Sequence, residues 1–139
     1  MEIKYKVWLE TDGKVVFGHG RERLFLAIEE CRSLNAAAKK LGMSYRAAWG
    51  RLRASEERLG INLVETSPHE KGMHLTVEGK RLLDSYMRLE QEINDYAAER
   101  GRDLFKELNI KPEEAVPEGE TRPARGRKAS ARKPCTSSP

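Results

Sequence analysis

Side chains that could bind another molecule through hydrogen bonds are concentrated in one short stretch, between residues 44 and 53. The stretch combines aromatic, basic and hydroxyl side chains: Ser44, Tyr45, Arg46, Trp49, Arg51 and Arg53. Arginine can donate two parallel hydrogen bonds to a guanine edge, and hydroxyl or guanidinium groups can donate to phosphate oxygens. The sequence offers no nucleophile paired with a base and no glycine-rich phosphate loop. We therefore expect binding chemistry and not an enzyme.

The residues around this stretch have the pattern of two helices joined by a tight turn. Asn35 is a good N-cap for the first helix, and the alanines at 36–38 are small enough for a second helix to cross closely. Gly42 suits the left-handed conformation that ends a helix, and Ser44 can cap the next helix after a turn of only about three residues. The spacing predicts a helix-turn-helix, whose second helix enters the major groove of DNA.

The second predicted helix has an apolar face, and the candidate binding residues lie elsewhere around it. The apolar positions recur at helical spacing: Ala48, Leu52, Ser55 and Leu59. Recognition helices read base edges near their N-termini, so Tyr45 and Arg46 are the expected base readers. The predicted DNA-binding set also includes Asn35, Ser44, Arg51 and Arg53. Of these, Ser44, Arg51 and Arg53 are expected to contact phosphates. Trp49 either covers the sugar-phosphate edge or packs against the N-terminal hairpin, and we expect it to be partly buried.

A hairpin is predicted directly after the helix-turn-helix. Residues 61–66 favour a short strand, residues 67–72 are turn material, and residues 73–76 can return as the second strand. Such a hairpin is a wing, which lies beside the recognition helix against the DNA backbone or the minor groove. Lys71 and His74 are the candidate phosphate contacts, although a solvated loop would also account for each of them. The Glu56-Glu57 pair, just before the wing, is interpreted as the solvated end of a helix.

The N-terminal part of the chain favours another hairpin and a further helix. Residues 2–11 alternate charged and apolar types, and a return strand follows the two-residue turn at Asp12-Gly13. Residues 18–20 are predicted to be a flexible connector, and residues 21–32 an amphipathic helix that completes a three-helix core. The predicted fold class is therefore mainly α with small β elements: a winged helix-turn-helix with an N-terminal β-hairpin and a long C-terminal dimerisation helix.

The long C-terminal helix is predicted to begin after Thr76, which can cap it. Its apolar residues alternate spacings of four and three, which is a heptad seam: Leu82, Tyr86, Leu89, Ile93 and Tyr96. A seam of this kind predicts a homodimer in which two copies of the helix pair. The alternative is that the helix folds back onto its own domain.

Three segments follow from these patterns. Residues 1–76 form the N-terminal hairpin and the winged helix-turn-helix, residues 77–110 form the long helix, and residues 111–139 form a disordered basic tail. Within the tail, Arg125-Gly126-Arg127 resembles the centre of an AT-hook, which binds the minor groove of AT-rich DNA. A tail that only keeps the protein in solution is the default interpretation.

Composition limits the remaining possibilities. The 139 residues include 26 Lys and Arg against 22 Asp and Glu, and the resulting charge of +4 is compatible with a nucleic-acid partner. No apolar run is long enough to span a membrane, and the N-terminus has no signal-peptide pattern. We therefore expect a cytoplasmic, nucleoid-associated protein. The histidines lack neighbours that would complete a metal site, so neither a metal nor a cofactor is expected.

Residues 33–83 resemble the winged DNA-binding domain shared by LysR-type regulators and molybdate-responsive regulators of the ModE type. Both families share the runs Leu59-Gly60-x-x-Leu63-Val64-Glu65 and Leu75-Thr76-x-x-Gly79. The run Gly42-Met43-Ser44-Tyr45-Arg46-x-Ala48-Trp49 is more similar to the ModE type. So is the N-terminal hairpin leading into Gly18-His19-Gly20-Arg21, and the likeness extends over residues 2–98.

This resemblance implies a sequence-specific, homodimeric transcriptional regulator that binds double-stranded DNA. The residues after Leu108 are too few for the β-barrel domains that bind molybdate in full-length ModE-type proteins, so a molybdate-binding domain is not expected. Two other interpretations remain open. The protein could be architectural, coating AT-rich DNA with the help of its basic tail, or the winged domain could serve as a protein–protein interaction module.

Overall fold

The computed structural model describes residues 2–109 of the chain. The helices and strands follow in this order: β1 Trp8–Thr11, β2 Lys14–Gly18, α1 His19–Cys31, α2 Leu34–Leu41, α3 Tyr45–Leu59, β3 Val64–Ser67, β4 Glu70–Leu75 and α4 Val77–Glu107. This arrangement confirms the predicted architecture of a winged helix-turn-helix with an N-terminal hairpin and a long C-terminal helix, whereas the dimerisation role of that helix stays a prediction. Within the described residues, no helix combines the length and the apolarity needed to cross a membrane. The predicted tail at residues 111–139, including its AT-hook-like stretch, lies outside the described residues.

The N-terminal hairpin is shorter and its connection to α1 is tighter than the sequence predicted. Strands β1 and β2 pair antiparallel, and the turn residues Asp12 and Gly13 both have positive φ, as a two-residue hairpin turn requires. At the open end, Gly18 pairs with Trp8, and a Cβ at Gly18 would lie 3.2 Å from the Trp8 Cβ. Since β2 continues to Gly18 and α1 begins at His19, the prediction of a flexible connector at residues 18–20 was wrong.

The core of residues 7–88 is centred on Phe17, which is fully buried at the end of β2. Its ring makes edge-to-face contacts with Phe25 of α1, at 5.1 Å between ring centroids, and with Tyr86 of α4, at 5.0 Å. The other large, fully buried apolar side chains come from α1, α3, the residue before β3 and the end of β4: Leu24, Ile28, Leu52, Leu63 and Leu75. The core therefore joins the hairpin, the helix-turn-helix and the wing in one unit.

Helix α4 begins at the predicted cap, but Tyr86 in its first part packs into its own domain. Thr76 accepts the backbone N–H of Gly79 on its hydroxyl oxygen at 3.0 Å, which confirms the cap. Tyr86 is 1% exposed and donates its hydroxyl to the Val7 carbonyl at 2.8 Å, and Leu82 packs against the same core. Placing Tyr86 on a dimer seam was wrong, because its own domain covers it. Leu82 is only partly buried, and its place on the seam stays a prediction.

The second part of α4 forms a separate compact unit with the N-terminal segment: within the described residues, this unit comprises residues 2–6 and 89–109. The Tyr5 hydroxyl donates to the Glu90 carbonyl at 3.4 Å. Ile93 is half-buried, whereas 66% of Tyr96 is exposed. A groove of about 410 Å³ runs between the N-terminal segment and the helix and is lined by apolar residues that include Ile3, Ala97, Ala98 and Phe105.

Candidate nucleic-acid interface

In the helix-turn-helix, a serine caps the N-terminus of each helix and a glycine caps its C-terminus. Ser33 caps α2 by accepting the Ala36 N–H at 3.1 Å, and Ser44 caps α3 by accepting the Ala47 N–H at 3.0 Å. Gly42 ends α2 in the left-handed conformation, as predicted. The prediction that Asn35 caps α2 was wrong, because the helix starts at Leu34 and Asn35 lies inside its first turn with its side chain exposed.

Small residues bring α2 and α3 close together. Ala37 and Ala48 are fully buried and Ala38 is 1% exposed. The Met43 N–H also donates to the Ala38 carbonyl at 3.0 Å, which tightens the turn between the helices. This packing fixes the orientation of α3 on the domain, and therefore also the positions of the side chains on the face of α3 that points away from the core.

The outer face of α3 carries aromatic and basic side chains that no core residue covers. Tyr45 and Trp49 are 53% and 43% exposed, so Trp49 is more open than expected, and Arg46 and Arg53 are exposed as well. The Arg53 guanidinium lies over the Trp49 ring, 5.7 Å from its centroid. In the middle of this face, Gly50 has open space where a Cβ would stand. The face is therefore rich in hydrogen-bond donors and open to a large partner.

Glu56 links the outer face of α3 to the wing. Its Oε2 accepts the Leu63 N–H at 2.9 Å, and its Oε1 lies 3.6 Å from a terminal nitrogen of Arg53. Glu56 is only 8% exposed, whereas Glu57 is exposed. The interpretation of Glu56 as a solvated helix end was therefore wrong, because its carboxylate satisfies a backbone donor that is buried where the wing begins.

Arg51 lies on a different side of α3 from the other predicted contacts. Arg53 is two positions further along the chain, which corresponds to a rotation of about 200° around an α-helix. Its guanidinium extends over the start of α1, where a terminal nitrogen lies 3.7 Å from the position that a Cβ on Gly20 would take. The structure therefore groups Tyr45, Arg46, Trp49 and Arg53 and leaves Arg51 on the flank.

The two predicted phosphate contacts of the wing have different surroundings. Lys71 is exposed on β4, close to the tip of the hairpin. His74 is 6% exposed, and its Nε2 lies 3.0 Å from Oε1 of Glu65 on the paired strand. The prediction that His74 contacts phosphate was wrong, because its imidazole is buried beside Glu65.

The base of the wing is fastened to the end of α1 by hydrogen bonds that backbone N–H groups of β4 donate. The Met73 N–H donates to the Arg32 carbonyl at 2.8 Å, and the Leu75 N–H donates to a carboxylate oxygen of Glu29 at 2.6 Å. Gly72 has φ +78, and a Cβ there would overlap the Arg32 carbonyl oxygen. Sequence reasoning missed these contacts, because it placed Gly72 in the turn of the wing, whereas β4 already begins at Glu70.

Comparison with known proteins identifies the domain. Residues 21–80 match the family model described as "Bacterial regulatory helix-turn-helix protein, lysR family". The chain is 32% identical over 102 residues to the molybdenum-pterin-binding protein MopB of Rhodobacter capsulatus, covering 71% of this chain and 36% of MopB. It is 38% identical over 74 residues to the transcriptional regulator ModE of Haemophilus influenzae, covering 51% of this chain and 29% of ModE.

The matches are limited to part of the relatives. The chain spans about a third of the length of these two curated proteins. Among solved structures, a CbnR DBD–DNA complex is similar at 29% identity with a TM-score of 0.47, covering 61% of this chain and 94% of that one. The family model and the two curated relatives confirm the resemblance to winged domains of the LysR and ModE type, and no molybdate-binding domain is evident in residues 2–109.

Proposed function

We propose that this winged helix-turn-helix domain of the LysR and ModE type binds a specific sequence in double-stranded DNA and regulates transcription. The observation that carries the proposal is the outer face of α3, where Tyr45, Arg46, Trp49 and Arg53 stand exposed on a rigid support. In this proposal the chain acts on the nucleoid in the cytoplasm, by binding and not by catalysis, and it uses no cofactor.

Arg46 is the proposed principal base reader. It lies in the first turn of α3, and no contact with another described residue occupies its guanidinium. Tyr45 is next to it and can contact a base edge or a neighbouring sugar. Recognition helices commonly present their N-terminal residues to base edges, and an arginine can donate two hydrogen bonds to guanine.

The remaining contacts position the domain on the DNA backbone. Ser44 uses its oxygen as an acceptor in the helix cap, so its hydroxyl hydrogen is free to donate to a phosphate. Arg53 is oriented by Trp49 and Glu56, and Asn35 and Lys71 are exposed at the start of α2 and on the wing. We propose these four residues as phosphate contacts and leave out His74.

We also propose a homodimer that pairs through the second part of α4. Leu89, Ile93 and Tyr96 continue the heptad spacing beyond the part of the helix that the domain core covers. Tyr96 is 66% exposed, so its ring is open to a second copy of the helix. A dimer would present two copies of α3 to a two-fold-related site.

The test is to select bound fragments from a genomic library with the full chain and to measure the affinity of the best fragment against a shuffled duplex. A preference of at least about tenfold is expected. Arg46→Ala should cost about 1–3 kcal/mol on the selected site and relax the preference at one base pair. Arg23→Ala removes an exposed arginine of α1, which is not part of the outer face of α3, and should leave the preference unchanged.

The outcomes separate the alternatives. Equal loss on all sequences in Arg46→Ala would make Arg46 a phosphate contact. If the full chain showed no preference, and removal of residues 112–139 abolished most binding, the architectural interpretation would replace this proposal. If no duplex bound at moderate salt, the domain would be a protein-interaction module.

A further inference from the structure

Three arginines come together on the flank of α3, at the junction of β2, α3 and the start of α1. Arg21 donates its Nε–H to the Ser55 hydroxyl oxygen at 2.6 Å, and Ser55 donates in turn to the Val16 carbonyl at 2.6 Å. Arg58 donates to the Val15 carbonyl. The Arg51 guanidinium completes the group, since it lies over Gly20, next to Arg21.

The charges in this group are not balanced by neighbouring acids. Among residues 2–109, none of the three arginines forms an ion pair with a carboxylate. Burial, followed by the charges of Arg58 and Arg51, lowers the pKa of the Arg21 guanidinium from its usual value. Holding three like charges together while one of them is half-buried costs free energy, which an anion at this position would offset.

We propose that Arg21, Arg51 and Arg58 form a binding site for a phosphate group. Planar guanidinium groups match the oxygens of phosphate with parallel hydrogen bonds, and a phosphate carries more charge than a carboxylate. The Ser55 hydroxyl occupies only the Nε–H of Arg21, so the N–H groups on its two terminal nitrogens can donate to a phosphate. Because Arg51 and Arg58 are exposed, the phosphate can be part of a larger molecule.

The proposed phosphate site lies on a different side of α3 from the proposed base readers. Arg51 and Arg58 are seven residues apart, so they lie on the same side of the helix, well away from Arg46 and Arg53. The phosphate can come from two sources: the backbone of the bound DNA, next to the groove that α3 enters, or a small phosphorylated molecule free in solution. The first source rests on the proposed function, and the second does not.

The first arm of the test uses inorganic phosphate. The full chain is titrated at constant ionic strength while the arginine Nε–H and backbone NMR signals are followed. The expected result is a saturable shift at the Arg21 Nε–H and at residues 15–21 and 51–58. Arg58→Gln should weaken the apparent affinity for phosphate by about tenfold, because one charge-assisted contact is lost.

The control for this arm is Arg23→Gln, which removes the same charge from the exposed side of α1 and should titrate like the unmodified protein. The backbone spectrum of each variant reports directly whether the fold is kept. If Arg58→Gln lost its fold, Arg58→Lys would replace it, since it keeps a positive charge but not the planar fork.

The second arm uses a DNA duplex at a series of salt concentrations. If the phosphate belongs to DNA, Arg58→Gln should lower the salt slope by about 0.9, the value for one phosphate contact, and Arg23→Gln should not. If the phosphate is free, the slope stays unchanged while the first arm shows binding. If inorganic phosphate binds at the three arginines but the chain binds no DNA, the proposed function is refuted and the phosphate site is supported. The site is overturned if phosphate shifts are equal in all variants and the slope does not change.

Discussion

The carboxylate of Glu56 and the backbone N–H of Leu63 are joined by a hydrogen bond of 2.9 Å, which connects the last turn of α3 to the residue before the wing. Leu63 is fully buried and Glu56 nearly so. The same carboxylate lies beside Arg53 on the outer face of α3. One side chain therefore fixes the wing relative to the recognition helix and orients a proposed DNA contact.

Glu56→Ala should lower the free energy of unfolding by about 1–3 kcal/mol, because the Leu63 N–H would be left buried without an acceptor. Glu56→Gln keeps an oxygen that can accept this hydrogen bond and should lose less. Urea denaturation of both variants measures the difference. Glu57→Ala is the matched control, since its exposed side chain should matter by no more than about 0.5 kcal/mol. Equal stability of Glu56→Ala and Glu57→Ala would contradict the role of Glu56.

Gly72→Ala should detach the base of the wing from α1. The added Cβ would overlap the Arg32 carbonyl oxygen, and the backbone at Gly72 has a positive φ. Gly13→Ala is the control, because Gly13 also has a positive φ but open space around it, and the expected cost there is about 1–2 kcal/mol. Chemical denaturation should show a larger loss for Gly72→Ala, and DNA affinity should fall only in this variant. Similar effects at both glycines would mean that the wing adapts to the overlap.

Gly50→Ala should stabilise the protein and weaken its binding to DNA. Alanine is favoured over glycine inside a helix by about 1 kcal/mol, and a Cβ at Gly50 meets no other atom within 4 Å. The methyl group would stand on the outer face of α3, between Arg46 and Arg53, where the proposed DNA surface approaches. Thermal unfolding should show a higher midpoint, while binding to the selected site should weaken by about tenfold, or about 1.4 kcal/mol. Unchanged affinity would place the DNA farther from this part of the helix.

Tyr96→Glu should convert the proposed homodimer to a monomer without unfolding the domain. Tyr96 is 66% exposed, so the charge would be tolerated in a single chain but not in a helix pair. Light scattering after size exclusion measures the change in mass. Gln91→Glu adds the same charge about 140° away around the helix and should leave the dimer intact. A dimeric Tyr96→Glu variant would refute pairing through this seam.

Tyr86→Phe tests whether Tyr86 packs inside its own domain and not at the dimer seam. The Tyr86 hydroxyl donates to the Val7 carbonyl, so its removal should cost about 0.5–1.5 kcal/mol of stability. The mass of the particle should not change, because Tyr86 packs inside its own domain. Urea denaturation and light scattering on the same sample distinguish the two effects. A change of mass without loss of stability would return Tyr86 to the dimer seam.

Local chemistry determined the positions of the elements. The turn at Asp12-Gly13, the glycine at the end of α2, and the caps at Ser44 and Thr76 were all predictable, because each depends on one residue's own conformation or on hydrogen bonds within one turn. The apolar spacing likewise predicted that Ala48, Leu52 and Ser55 face the core. Even here one local prediction failed, because Asn35 was expected to cap α2, whereas the helix begins at Leu34 and Ser33 is the cap.

Only the tertiary structure decided which of several equivalent residues face solvent and which face the chain itself. The heptad spacing treats Tyr86 and Tyr96 alike, yet Phe17 and Val7 cover the first, and the second stays exposed. Glu56 and Glu57 also differ, since Glu56 accepts the buried Leu63 N–H and Glu57 is exposed. Likewise, His74 is buried beside Glu65, whereas Lys71 is exposed. Periodicity follows from the geometry of a single helix or strand, whereas burial and pairing depend on residues distant in sequence, which the fold alone brings together.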